Sequence, residues 1–201
     1  MDALRRRVRV AVGKEPSPSA ESIDSQTVKA TEIADERGYD GGKKITGRKR
    51  HIVVDTLGLL LVVVVTVASA DDGTGAPEVL ARLTAEHRSR LELLWADSKY
   101  HNHRLEGWLV ESAAGYRIEV VRRPPGSEGY VKLPRRWVVE RTFAWLGRYR
   151  RNSRDYERSA GSSEAMIKVS SIHRMLRLLK PDQSKKAVPF RYRELQGIVT
   201  G

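Results

Sequence analysis

The sequence predicts an α/β domain in which helices cover both faces of a mixed five-stranded sheet. Three observations predict it. The apolar stretch Leu57 to Ala70 contains four consecutive β-branched residues, Val62 to Val65. Three strand-like segments precede the first helical pattern, and from there strand and helix patterns alternate toward the C-terminus.

Taken in order, residues 1–20 read as a basic flexible arm, with Gly13 and Pro16-Ser17-Pro18-Ser19 as breakers. A strand centred on Ile23 to Val28 follows, then a polar loop dense in Gly and Lys from Arg37 to Gly47. His51-Ile52-Val53-Val54 is a second strand, and the turn Asp55-Thr56-Leu57-Gly58 leads into the valine-rich third, making a hairpin. That third segment is shorter than the ~18 apolar residues of a membrane-spanning helix, and its run of valines suits a strand buried on both faces. Pro77 is expected to open a helix carrying Val79, Leu80 and Leu83. Leu91 to Ala96 is a fourth strand that ends at Asp97. Leu105, Trp108 and Leu109 mark another helix, and Tyr116 to Val121 alternates as a fifth strand. After a Pro- and Gly-rich loop, Pro124 to Gly129, helices are expected over Arg136 to Tyr149 and Ser163 to Leu179. Residues 21–180 thus form the folded body and 181–201 a polar tail. This element order is that of the ribonuclease H-like fold.

Charge narrows the partner. Lys and Arg number 37 against 25 Asp and Glu, giving +12 and a sequence pI near 10.2. Such a balance predicts a polyanion, because neutralising phosphates releases counterions and drives nucleic-acid binding. Cysteine is absent, which excludes disulfides, a thiolate nucleophile and a Cys-based zinc site and fits a reducing, cytoplasmic setting. Met1 to Lys14 lacks the continuous apolar core of a signal peptide. No Gly-rich loop followed by Lys-Ser/Thr is present, so nucleotide hydrolysis is not expected.

Within this order three acids occupy positions that suit metal-assisted chemistry on phosphate. Asp24 lies within the first strand, Asp97 closes the fourth, and Glu140 lies on a late helix. Two-metal phosphoryl transfer places Mg²⁺ ions about 3.5–4 Å apart between an attacking and a leaving oxygen. Mg²⁺ takes hard oxygen ligands and keeps several waters, so a few carboxylates on rigid elements suffice. On the helix, Val139, Phe143 and Leu146 make an apolar stripe. Glu140 stands beside it on a face with Arg136, Ala144 and Gly147, where small residues leave room for a substrate backbone. Arg136, one turn before Glu140, can hold a phosphate or orient the carboxylate.

Four segments closely resemble bacterial insertion-sequence transposases of the DDE type: Ile23-Asp24-Ser25-Gln26-Thr27-Val28-Lys29, Gly42 to Asp55, Trp95-Ala96-Asp97 and Trp137-Val138-Val139-Glu140-Arg141-Thr142-Phe143-Ala144-Trp145-Leu146. The group is the one named after insertion sequence five, within the superfamily named after insertion sequence four, and the likeness runs from about residue 15 to residue 180. It implies that Asp24, Asp97 and Glu140 are the catalytic and metal-binding acids. It further implies Mg²⁺ (with Mn²⁺ as an alternative), cleavage at element ends, and attack of the freed 3′-hydroxyl on target DNA. The implied partners are double-stranded DNA and a second copy of the chain, and the implied location is the bacterial cytoplasm, on the nucleoid. Three departures accompany the likeness. Leu133 and Gly147 stand where the superfamily carries Tyr and Lys. Ser98 and His101-Asn102-His103 replace small residues after the second acid. The N-terminal helical DNA-binding region of full-length relatives is expected to be missing. A truncated, catalytically inactive DNA-binding remnant is therefore the alternative reading.

Two basic clusters are expected to contact DNA: Lys43, Lys44, Arg48, Lys49 and Arg50 after the first strand, and Arg136, Arg148, Arg150 and Arg151 along the catalytic helix. Trp145 and Tyr149 either stack on a base or pack against the last helix. Two His at i, i+2 after a strand suit a turn better than a metal site.

Overall fold

The computed structural model describes residues 1–100, 102–122, 126, 133 and 135–180. The tail 181–201, His101 and most of the loop 124–129 lie outside the described residues. Among the described residues the strands are β1 (Ala20–Lys29), β2 (Gly38–Asp40), β3 (Ile45–Asp55), β4 (Leu60–Val67), β5 (Leu93–Ala96) and β6 (Arg117–Val120). The helices are α1 (Asp2–Ala11), α2 (Asp72–Ala81), α3 (Ala85–Arg88), α4 (His103–Glu111), α5 (Trp137–Gly147), α6 (Arg150–Ser153) and α7 (Ala160–Leu179), with a 3₁₀ turn at Ser98–Tyr100.

These strands form one mixed sheet. β1 pairs antiparallel with β3 and parallel with β5, which pairs parallel with β6. The outer side of β3 is shared: β4 runs antiparallel along Arg48 to Val54, and β2 along Ile45 to Gly47. β2 is the sixth strand that the sequence assigned to a loop. Three residues are too few to show alternation, and the strand exists because it pairs with the start of β3. On its other side β3 meets β1 closely at Gly47, where a Cβ would overlap the carbonyl oxygen of Val28.

Alternation along the strands divides the core in two. Ile23, Val53, Val62 and Val64 face Ala76, Val79 and Leu80 of α2 and Leu105 of α4. Ile52, Val54, Val63 and Val65 face Val139, Phe143 and Leu146 of α5 and Ile167 of α7. The continuous apolar run of β4 is thus two interleaved faces, each covered by helices. The amide of Val65 donates to Glu164 of α7 at 3.1 Å, which blunts part of the outer edge of β4.

Two expectations are corrected here. Residues 2–11 form a helix packed on the body, not a flexible arm. Val8 joins Leu59 and Met175 in a third small core, and α1 lies against α7. Arg9 donates to Asp55 at 2.6 Å, and Arg5 donates to Asp2 at 2.8 Å and sits 3.3 Å from His87. Reading every Arg as exposed hid the inward face Leu4, Arg5, Val8, Arg9. The second correction is the start of α2. It begins at Asp72, with Asp71 as its cap accepting from the Thr74 amide at 2.9 Å. Pro77 sits inside, where its missing N–H leaves the Gly73 carbonyl without a helical partner.

Candidate active site

β1 and β5 are parallel neighbours with Ser22 opposite Trp95. Extending that register by two residues sets Asp24 opposite Asp97, on the same face of the sheet. That face is the one α5 covers, and Glu140 lies in the first turn of α5. Thus a strand interior, a strand end and a helix start bring three acids toward one place.

Arg136 stands among them. Its Nη2 is 3.5 Å from Asp24 Oδ2 and 3.6 Å from Glu140 Oε1, and its Nη1 is 3.4 Å from Asp97 Oδ1. Exposure grades outward: the side chains of Asp24, Asp97 and Glu140 are 17%, 29% and 36% exposed. Local donors hold the two strand acids. The Ser25 amide donates to Asp24 Oδ1 at 2.8 Å, and the Ser98 amide and hydroxyl donate to Asp97 Oδ1 at 2.5 and 3.0 Å. Burial, helped by the like charges of Asp97 and Glu140, raises the Asp24 carboxyl to about 6, against the lowering pull of the Ser25 amide and Arg136.

Among the described residues no three acid or imidazole side chains are drawn close enough to hold a metal ion; the guanidinium of Arg136 occupies the space between the acids. The donor chemistry nonetheless fits a hard divalent cation, because every group offered is a carboxylate oxygen. Three carboxylates face a single guanidinium there.

Behind β1, on the opposite face, lies a polar network that the sequence reading missed. Ser25 donates to Asp72 Oδ1 at 2.6 Å, and Lys49 and Lys99 pair with the two oxygens of Asp72 at 3.0 and 3.2 Å. The available signal was that Ser25, next to Asp24, must face away from it. Its partner Asp72 lies 47 residues further along the chain.

The basic clusters divide. Arg48, Lys49 and Arg50 are buried and do not offer a surface to phosphate. Arg48 donates to the carbonyls of Glu36, Glu157 and Arg158 and pairs with Asp155. Arg50 donates to the carbonyls of Asn152 and Arg154, and Lys49 to that of Ala70. β3 carries these cations inward because both its faces are covered. Lys43, Lys44, Arg148, Arg150 and Arg151 are exposed, and Arg151 pairs with Glu157. Ala144 and Gly147, beyond Glu140 on α5, are exposed, and nothing lies within 4 Å of a Cβ built at Gly147. Trp145 is half-buried between Arg141 and Arg174, whose guanidinium carbons lie 4.5 and 3.3 Å from its ring centroid. Tyr149 bonds His173 at 2.9 Å. His103 is exposed at the start of α4 and pairs with Glu106 at 3.4 Å.

Known proteins resemble this chain in sequence and fold. The family described as the transposase DDE domain matches residues 16–174. A protein of Burkholderia cepacia assigned as a transposase for insertion sequence element IS402 is 33% identical over 129 residues, 61% of this chain and 60% of that protein. The chain thus spans about 60% of that relative's length. Among solved structures, a chain of the simian T-cell lymphotropic virus intasome in complex with the PP2A regulatory subunit B56 gamma aligns with a TM-score of 0.50 at 12% identity. The alignment covers 90% of this chain and 61% of that one. The catalytic core domain of BIV integrase aligns with a TM-score of 0.46 at 14% identity, over 83% of this chain and 86% of that one. The intasome likeness concerns the fold, and the mixed sheet with helices on both faces is ribonuclease H-like. With the DDE-domain match extending from Pro16 through Arg174, across β1, β5 and α5, the chain belongs to the transposase DDE domain family.

Proposed function

We propose that this chain cleaves DNA at insertion-sequence ends and transfers the freed strand into target DNA, with Asp24, Asp97 and Glu140 as its catalytic acids. The observation that carries the reading is the convergence of these acids, from two parallel strands and a helix, on Arg136. Asp24 and Asp97 would hold the divalent cations, with Glu140 completing the set of carboxylate ligands. Bound there, Mg²⁺ supplies charge for the attacking and leaving oxygens. Ser25 and Ser98 hold the strand carboxylates in place through their amides. Arg136 balances the acids in the absence of other cations and stands where a scissile phosphate would need a donor. The open face at Ala144 and Gly147 admits the DNA backbone, while Lys43, Lys44, Arg148, Arg150 and Arg151 contact phosphates along it. Joining two ends to one target favours a dimer on DNA. The likeness to the insertion sequence five group points the same way, to a bacterial protein working on cytoplasmic, nucleoid DNA.

Asp24→Asn and Glu140→Gln test the reading. Both are expected to abolish Mg²⁺-dependent cleavage of end DNA while retaining DNA affinity in a mobility-shift titration. Wild-type rates in either variant would remove that acid from the mechanism.

A further inference from the structure

Asp72 lies on the first turn of α2, on the far side of the sheet from the three acids, and is 5% exposed. It ties together the chain on either side of the site. Successive side chains of a strand point to opposite faces, so Ser25 reaches back as Asp24 reaches forward. The same Ser25 that donates its amide to Asp24 donates its hydroxyl to Asp72 Oδ1, at 2.6 Å. Lys99, in the turn Ser98–Tyr100 that immediately follows Asp97, pairs with Asp72 Oδ2 at 3.2 Å. Lys49, on the neighbouring β3, closes the set at 3.0 Å from Oδ1. The start of α2 is also pressed against that turn: a Cβ on Gly73 would come within 2.5 Å of the Lys99 carbonyl and of the Asn102 side chain.

We propose that Asp72 is a positioning residue that sets the separation of Asp24 and Asp97, by gripping the residue after the first and the turn after the second from behind the sheet. The inference rests on the reading of Asp24 and Asp97 as cation-binding catalytic acids. Two carboxylates that share a cation must be held at a fixed spacing, and neither β1 nor the short β5 fixes the turn beyond Ala96. Tyr100 anchors the end of that turn in the core, and Asp72 adds the polar restraint at Lys99. Burial alone would raise its carboxyl, yet the Ser25 hydroxyl and the two lysines lower it to about 2, so the clamp stays ionised throughout the working range.

The test measures Mn²⁺ binding by electron paramagnetic resonance on the full chain, together with cleavage of end DNA. The variants are Asp72→Asn and Lys99→Met, the second cutting a single, half-exposed arm of the clamp. Outer-shell partners of ligands typically contribute about 10–100-fold in affinity or activity. Asp72→Asn is expected to weaken Mn²⁺ binding about tenfold and to lower kcat with KM for DNA unchanged. Lys99→Met is expected to do the same to a smaller degree without lowering Tm. Unchanged Mn²⁺ affinity in Lys99→Met, or losses in Asp72→Asn that follow Tm alone, would overturn the proposal. Asp24→Asn is the separate control: if it leaves both Mn²⁺ binding and cleavage intact, the catalytic reading fails, whatever Asp72 does.

Discussion

Replacing Glu21 by Gln removes a carboxyl that the fold buries without a partner. Glu21 lies on β1, is 0% exposed, and neither carboxylate oxygen has a hydrogen-bond partner. Burial raises its pKa from 4.5 to about 8, with the charge of Asp55 adding to the rise and Arg5 and Arg9 opposing it. A raised carboxyl is protonated in the folded state while it ionises in the unfolded one. Its contribution is therefore fully present below pH 4.5 and is lost as pH rises through about 8. At 1.36 kcal/mol per unit, the loss is about 3 kcal/mol at pH 7 and approaches about 5 kcal/mol above pH 8. Gln has a similar shape and no charge, so Glu21→Gln should match wild type at pH 4 and exceed its stability by about 3 kcal/mol at pH 7. For a chain of this size that is a rise of about 10 °C in Tm. Urea titrations of both proteins between pH 4 and pH 8.5 measure the difference, in which the titrating groups that do not interact with Glu21 cancel. A difference that does not change with pH, or a variant less stable at pH 7, would refute the argument.

Three further outcomes follow from where the charges lie. Arg9→Met leaves Asp55, itself 0% exposed, without its 2.6 Å ion-pair partner. It should cost about 3–5 kcal/mol in denaturant unfolding, whereas an arm not packed on the body would cost nothing. Replacing Lys43, Lys44, Arg148 and Arg150 by Ala should reduce the slope of log K against log salt for duplex DNA by about 1 per lost phosphate contact and leave Tm unchanged. Arg48→Met should instead lower Tm, because it strands Asp155 and the carbonyls of Glu36, Glu157 and Arg158.

Much of the site was legible because its parts are local. The strand about Asp24, the strand ending at Asp97 and the apolar stripe beside Glu140 each declare themselves within a dozen residues, and the order of elements brings them to one face of the sheet. The short β2 was not legible. Its pairing, not its own pattern, makes it a strand.

Cations mark the limit of the sequence most clearly. The sequence by itself determined the excess of positive charge, the strands buried on both faces, and which three acids could meet. Only the tertiary structure decided which cations face solvent and which serve the interior. Arg48 reads as one of a basic run, yet its acceptors on Glu157 and Arg158 lie 109 and 110 residues away. Arg5 and Arg9 read as part of an arm, yet His87 and Asp55 receive them across the fold. Nothing in the sequence singles out Asp72, yet it joins Ser25, beside Asp24, to Lys99, in the turn after Asp97. Apolar periodicity reports on neighbours along the chain. The partner of a buried charge is set by whichever distant segment can satisfy it, and that is known only once the chain has closed on itself.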